Sequence, residues 1–276
     1  MRVLFVGDSM TIGSAGEHTW RHRMWRHLER TCGPHGTAYE IVGPRDALYD
    51  KDADAPVSHD YADPALPAAA RRHLAGWGEG WLHMAPVIGG AVREHRADTL
   101  LVFLGLIDLG FYTGSGATAA NLRRFVAEAR SAQPRVRMVL LPVIPNIRAR
   151  HDAFFAAECE RFNDLLAEAV AELSTPASPL LTAVPPHDWD LARDTYDGTH
   201  PTARGEHRIA AAFADAMHRA WGVGGPYAAG VVGAQPGAAG DRPGAAGVRP
   251  GTRPGAAGVR PGTPRARRAA GPVPAG

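Results

Sequence analysis

The chain has 276 residues, 45% of them hydrophobic, a formal net charge of +2, two cysteines and a single lysine, Lys51. Seven arginines against the single Asp241 put +6 on residues 222–276 and leave −4 on residues 1–221, which argues against a nucleic-acid-binding body, because that needs a basic folded face. No run reaches the roughly 18 apolar residues of a membrane span, and no export signal precedes the first apolar run, so a cytoplasmic location is expected, with Cys32 and Cys159 as free thiols.

Residues 2–6, RVLFV, read as a short buried strand. The run stops at Gly7-Asp8-Ser9, ordinary turn formers that also leave a hydroxyl at the carboxyl end of a strand. Residues 17–30 predict a helix with Trp20, Met24 and Leu28 on one face. His18 and His22 have the spacing of a metal pair, but Arg21, Arg23 and Arg26 crowd the same helix, and the expectation is a solvated basic face with no metal. Residues 37–42 predict a second strand, closed by Gly43-Pro44. Residues 45–80 show no regular period and hold Asp46, Asp50, Asp52, Asp54, Asp60 and Asp63. A connection of that length is expected to act as a lid or pocket wall. Its carboxylates lack a calcium-loop signature and are read as solvated.

Helix then alternates with strand: helix over 82–96, strand over 99–104, helix over 117–132, strand over 136–144, helix over 152–173, strand over 179–183 and helix over 201–221. Strands apolar on both faces and separated by helices predict an α/β fold, a three-layer α/β/α sandwich around a parallel sheet of about five strands. In such folds ligands bind at the carboxyl ends of the strands. From Gly222 onward the chain is Gly, Ala, Pro and Arg, and RPGAAGVRPGT at 242–252 is repeated at 253–263. Such a segment has too little apolar surface to offset its ordering entropy, so the domain is expected to end at residue 221 and residues 222–276 to be a disordered tail.

A serine nucleophile needs a base in hydrogen-bond reach and a carboxylate to orient that base. YDGTHP near the far end places Asp197 three residues before His200, just ahead of the last helix, with Pro201 suited to its first position. The carboxylate can reach one imidazole nitrogen while the other faces Ser9. His187-Asp188 is a rival pair, but adjacent residues point apart more easily, and Asp194 is a rival carboxylate at a different spacing.

At these residues the chain resembles the SGNH, or GDSL-like, hydrolases, an esterase and lipase family of flavodoxin-like α/β/α fold. Gly7-Asp8-Ser9 matches the first of the family's blocks and Asp197-Gly198-Thr199-His200 the last, and no G-x-S-x-G elbow is present. The resemblance implies an ester hydrolase of small-molecule substrates that needs no cofactor. Its oxyanion hole would take the N–H of Ser9 and of a second-block glycine, Gly80 by the best fit with Gly78 and Gly76 as alternatives. The third block falls at Gly105-Leu106-Ile107-Asp108, where isoleucine stands in the family's asparagine position. An isoleucine donates nothing, so the hole lacks one donor or recruits another, for example Asn146. Asp8, Ile107, Asp108 and Asn146 are thus expected around the substrate, and Trp77, Trp81, Phe111 and Tyr112 are candidates for the pocket wall or the core. An acyltransferase would use the same triad, and Ile107 also admits a non-catalytic binding protein.

Overall fold

The computed structural model describes residues 1–32 and 38–228. In chain order the first half comprises β1 (Arg2–Gly7), α1 (Ser9–Ile12), α2 (Thr19–Thr31), β2 (Glu40–Val42), β3 (Leu48–Asp50), β4 (Ala55–Ser58), β5 (Leu74–Ala75), α3 (Trp81–Met84) and α4 (Ile88–His95). The second half comprises β6 (Thr99–Phe103), α5 (Ser115–Ala132), β7 (Arg137–Leu141), α6 (Ala153–Leu173), β8 (Leu180–Thr182), α7 (Leu191–Asp194) and α8 (Ala203–Trp221).

Five parallel strands lie in the order β2-β1-β6-β7-β8. Val3 to Val6 and Leu100 to Val102 are wholly buried, as a sheet covered on both faces requires. The chain leaves β1 toward β2 and then runs the other way, past β1 to β6, β7 and β8, so connections of one hand place α2 on one face and α4, α5 and α6 on the other, and α8 returns to the first face. Accordingly α2 packs on α8, while α5 packs on both α4 and α6. Trp20 of α2 links the first layer to the sheet: its ring stacks on Phe213 of α8 at 4.7 Å and meets Phe5 of β1 edge-on at 5.3 Å.

The stretch 45–80 is more structured than its composition suggests. It forms the antiparallel β3–β4 hairpin, a 3₁₀ turn at Ala68–Arg71, and β5, which makes a sixth strand. The same edge of β1 serves two partners, β2 along Arg2–Leu4 and β5 at Val6 and Gly7. The hairpin is fastened to the loop after α1, since Tyr49 N–H donates to Gly13 O at 2.9 Å and Ala15 N–H to Tyr49 O at 2.9 Å. Three of its six aspartates are engaged by other side chains, Asp46 by His59, Asp54 by Tyr49 and Asp63 by His22, while Asp52 and Asp60 are exposed as expected. Among the described residues no group of three His, Cys, Asp or Glu is placed to hold a metal ion.

Three expectations need correction. The helix over 82–96 is broken between α3 and α4 at Pro86, which has no N–H and whose ring crowds the preceding turn. The face around His18 is not a solvated basic one, because Arg21 is 1% exposed and His22 5%. Arg21 spends its charge on carbonyl oxygens, and burial lowers the His22 imidazole to about 4 against the pull of Asp63. Lastly, the folded body does not stop at Trp221. Tyr227 donates its N–H to Asp215 Oδ1 at 3.0 Å, its hydroxyl meets His207 Nδ1 at 2.7 Å, and Arg30 Nη2 donates to Ala228 O at 2.9 Å. These bonds lay residues 222–228 back on α2 and α8. The rest of the expected tail, 229–276, and the first residue of the expected second strand, Thr37, lie outside the described residues. Among the described residues no helix is long and apolar enough to cross a membrane.

Candidate active site

β1 ends where its neighbours β5 and β6 also end, and Asp8 turns the chain into α1 by accepting the Met10 N–H at 3.0 Å. Helix α1 therefore begins at Ser9, at the carboxyl edge of the sheet. Arg21 holds the other end of this short helix, donating from Nε to Thr11 O at 2.8 Å and from Nη2 to Ile12 O at 3.0 Å. No local signal in the sequence marks this role, because the carbonyls that draw an arginine into the interior belong to another element.

The loop between α7 and α8 delivers the imidazole. A bridge between Thr195 and Pro201 closes the loop, and α8 begins at Ala203 and not at Pro201, with Thr202 capping it by accepting the Gly205 N–H. His200 Nε2 lies 3.0 Å from Ser9 Oγ, and His200 Nδ1 lies 2.7 Å from Asp197 Oδ2. The other carboxylate oxygen of Asp197 accepts the backbone N–H groups of Thr199 at 2.9 Å and His200 at 2.7 Å. Partial burial pulls the Asp197 carboxyl upward, but the imidazole and these two amides outweigh it and hold the group below its ordinary value. The rivals stand elsewhere. His187 is exposed and borders a separate depression with Arg208 and Asp215, and Asp194 is buried against Arg204 and Arg208.

Ser9 and His200 open into a cleft of about 380 Å³ whose walls include Trp77, Gly78, Leu106, Ile107, Phe111, Tyr112, Asn146 and Phe155. Trp77, Phe111 and Tyr112 are thus wall residues, whereas Trp81 is fully buried and packs edge-on against Phe125 in the core. Among the described wall residues the one cation, Arg148, is neutralised: its Nε donates to Asp152 Oδ2 at 3.0 Å, its Nη1 to Gly110 O at 2.9 Å, and it lies over the Phe155 ring.

The glycines of the second block have different surroundings. Gly80 N–H donates to His83 Nδ1 at 3.1 Å, and a Cβ on Gly80 would stand 2.2 Å from Asp108 Oδ2. Gly76 N–H donates to Gly7 O at 3.1 Å. Gly78 alone of the three lines the cleft, and among the described residues neither its N–H nor that of Ser9 has an acceptor. Asp108 is wholly buried and accepts the N–H groups of Trp81 at 2.8 Å and Leu82 at 3.0 Å, so it caps α3 and does not reach the cleft. Asp8 is likewise buried beneath the cleft, which pushes its carboxyl up to about 7. Ile107 does face the cleft, and so does Asn146, whose Nδ2 donates to Thr199 Oγ1 at 3.1 Å.

Fold and cleft define a three-layer α/β/α protein with a cleft at the carboxyl ends of its strands. The chain belongs to the GDSL-like lipase/acylhydrolase family, whose model matches residues 5–208. Solved structures of similar fold include an acetyl esterase with acetate ion in a serine-to-alanine mutant, at 20% identity, 76% of this chain, 92% of that one and a TM-score of 0.62. A carbohydrate esterase family 3 protein from Talaromyces cellulolyticus shares 20% identity over 79% of this chain and 97% of its own, with a TM-score of 0.64. The Clostridium thermocellum family 3 carbohydrate esterase shares 18% over 79% and 96%, with a TM-score of 0.59. No curated protein sequence matches the chain significantly.

Proposed function

We propose that the chain cleaves a carboxylic ester of a small uncharged molecule through Ser9, His200 and Asp197. The observation that carries this reading is the continuous line of hydrogen bonds from Ser9 Oγ through the imidazole to Asp197. Ser9 Oγ attacks the ester carbonyl carbon as its proton passes to His200 Nε2. The oxyanion is received by the N–H of Ser9 and the N–H of Gly78, which fits this part better than Gly80 because its N–H is not taken by a neighbouring imidazole. The tetrahedral centre collapses, Nε2 gives its proton to the leaving alkoxide, and an acyl-Ser9 ester remains. Water then attacks the acyl carbon, giving a proton to Nε2, and Ser9 leaves with that proton as the acid is released. Asp197 fixes the tautomer that keeps Nε2 free to accept, and it stabilises the imidazolium.

The cleft supports the substrate class. Its size suits a small molecule, its walls are largely apolar, and Arg148 is already paired, so its described residues offer no free cation to an anionic substrate. The acetyl esterase of similar fold is consistent with a short acyl group. Intact-protein mass after exposure to a fluorophosphonate tests the reading. One adduct is expected, lost in Ser9→Ala. An adduct that persists in folded Ser9→Ala, or none in the wild type, sinks the nucleophile assignment. Product analysis with and without an acceptor alcohol separates hydrolysis from acyl transfer.

A further inference from the structure

Four aromatic rings run through this site in near-parallel planes. Tyr49 stacks on Trp77 at 4.2 Å and 14°, and Trp77 stacks on the His200 imidazole at 4.8 Å and 15°. Tyr196 lies against the same imidazole at 5.8 Å and 19°, with Lys51 Nζ 5.2 Å from its centroid. The β3–β4 hairpin supplies a member at both places, since Tyr49 belongs to β3 and Lys51 to the turn that follows it. The hairpin is also tied by backbone hydrogen bonds to the loop that follows the Ser9 helix.

We propose that Trp77 and Tyr196 are positioning residues that clamp the His200 ring in the plane it needs to face Ser9, and that the β3–β4 hairpin sets the clamp through Tyr49 and Lys51. The proposal rests on the reading of His200 as the base. The ring turns about its Cβ–Cγ bond, and the hydrogen bonds to Asp197 and Ser9 restrain that turn only within the tolerance of their angles. Flat neighbours at stacking distance remove that freedom. An indole face also favours an imidazolium over a neutral ring, so the contact strengthens as the proton arrives from Ser9. Proton transfer depends steeply on such alignment, and the effect belongs in turnover, not in binding.

Tyr196 is the clean probe: it does not line the cleft, and at 45% exposure its removal costs the core little. Tyr49 backs Trp77 without lining the cleft, but it is buried against Ile12, so its variant is read only where unfolding shows it folded. With p-nitrophenyl acetate as substrate, Tyr196→Leu and Tyr49→Leu are expected to lower kcat about fivefold with KM unchanged, and Tyr196→Phe to restore it, consistent with the size of a single aromatic contact. Trp77→Leu is expected to alter both constants, since Trp77 also lines the cleft. Proton NMR reports the stacking itself and not the clamp. The His200 ring protons, assigned by difference from His200→Ala, should lie upfield in the wild type and move downfield in Trp77→Leu and Tyr196→Leu as the ring currents are lost. If His200→Ala is inactive while folded Tyr196→Leu and Tyr49→Leu keep wild-type kcat, the clamp is overturned and the base assignment stands, because loss of a nearby ring current shifts the His200 protons with or without a clamp. Wild-type turnover in His200→Ala overturns both.

Discussion

Arg21 Nε donates to the carbonyl oxygen of Thr11 at 2.8 Å, and the rest of the guanidinium reaches Ile12 O and Arg71 O, each at 3.0 Å. An arginine 1% exposed thus satisfies the end of the helix that begins with Ser9 and ties it to the 3₁₀ turn of the 45–80 stretch. Arg21→Met leaves these carbonyls without a donor in the interior, each worth ~1–3 kcal/mol. Urea unfolding is expected to show a loss of roughly 3 kcal/mol, and turnover should fall with it at temperatures where the variant is still folded. Arg21→Lys should recover little, since an ammonium cannot reproduce the fork. A variant as stable as the wild type would show that water replaces the guanidinium.

The carboxyl of Asp8 makes stability depend on pH. Burial pushes it up to about 7, the Met10 N–H pulls it back, and the nearby Asp108 adds to the rise. Between the ordinary carboxyl value of 3.8 and about 7 the native state keeps a proton that the unfolded chain has released, so stability falls as pH rises through that window. Asn can still accept the Met10 N–H and carries no charge. Asp8→Asn is therefore expected to be more stable than the wild type by roughly 2–4 kcal/mol at about pH 8, with the gap closing toward about pH 4. Comparing the two proteins at each pH cancels the imidazoles of His22, His27 and His207, which burial lowers to about 4 in both. A gap that does not change with pH would refute this.

The return of the chain after α8 separates two truncations. A chain ending at Ala228 keeps the bonds of Tyr227 to Asp215 and His207 and that of Arg30 to Ala228, whereas one ending at Trp221 loses them all. Lost hydrogen bonds and packing of about 2 kcal/mol correspond to a fall of roughly 4–8 °C in melting temperature for a body of this size. The shorter chain should show that fall and the longer one should match the full chain. Equal melting of the two truncated chains would place the boundary back at residue 221.

The parts of this fold that can be read from the sequence are those whose burial leaves a local trace. β1, β6 and β7 are covered on both faces and so are written as unbroken apolar runs, and Pro86 is a visible break in the helix it interrupts. Ser9 and the Asp197-His200 pair stand out because the proposed triad needs a hydroxyl at a strand end and a carboxylate a short spacing from an imidazole. The remainder depends on partners far away in the chain. Arg21 looks like a surface cation until the carbonyls of Thr11, Ile12 and Arg71 surround it. Whether Gly80 or Gly78 has a free N–H depends on where the His83 ring turns. Tyr227 lies among Gly, Ala and Pro, and only its partners on α2 and α8 make it part of the body.

The strongest departure from the family pattern is also the most direct test of the oxyanion hole. Ile107 lines the cleft beside Ser9 at the position where the family carries asparagine, and it has no hydrogen to donate to a developing oxyanion. Loss of one such donor typically costs about 10²–10³ in turnover, because the bond acts where charge develops in a water-poor site. Asn146 is near, but its Nδ2 donates to Thr199 Oγ1 and its Oδ1 accepts the Arg148 N–H, so it is held toward the His200 loop. Ile107→Asn is therefore expected to raise kcat on p-nitrophenyl acetate about tenfold. The gain stays below the full range because the surrounding side chains are not arranged to hold an amide. KM should change little, since the oxyanion exists only near the transition state. Asn146→Ala, measured beside it, should lower kcat through the loosened Thr199 without cancelling the gain in the double variant. If folded Ile107→Asn is no faster while Asn146→Ala is crippled alone and in the double variant, Asn146 is already the third donor and Ile107 is a wall residue.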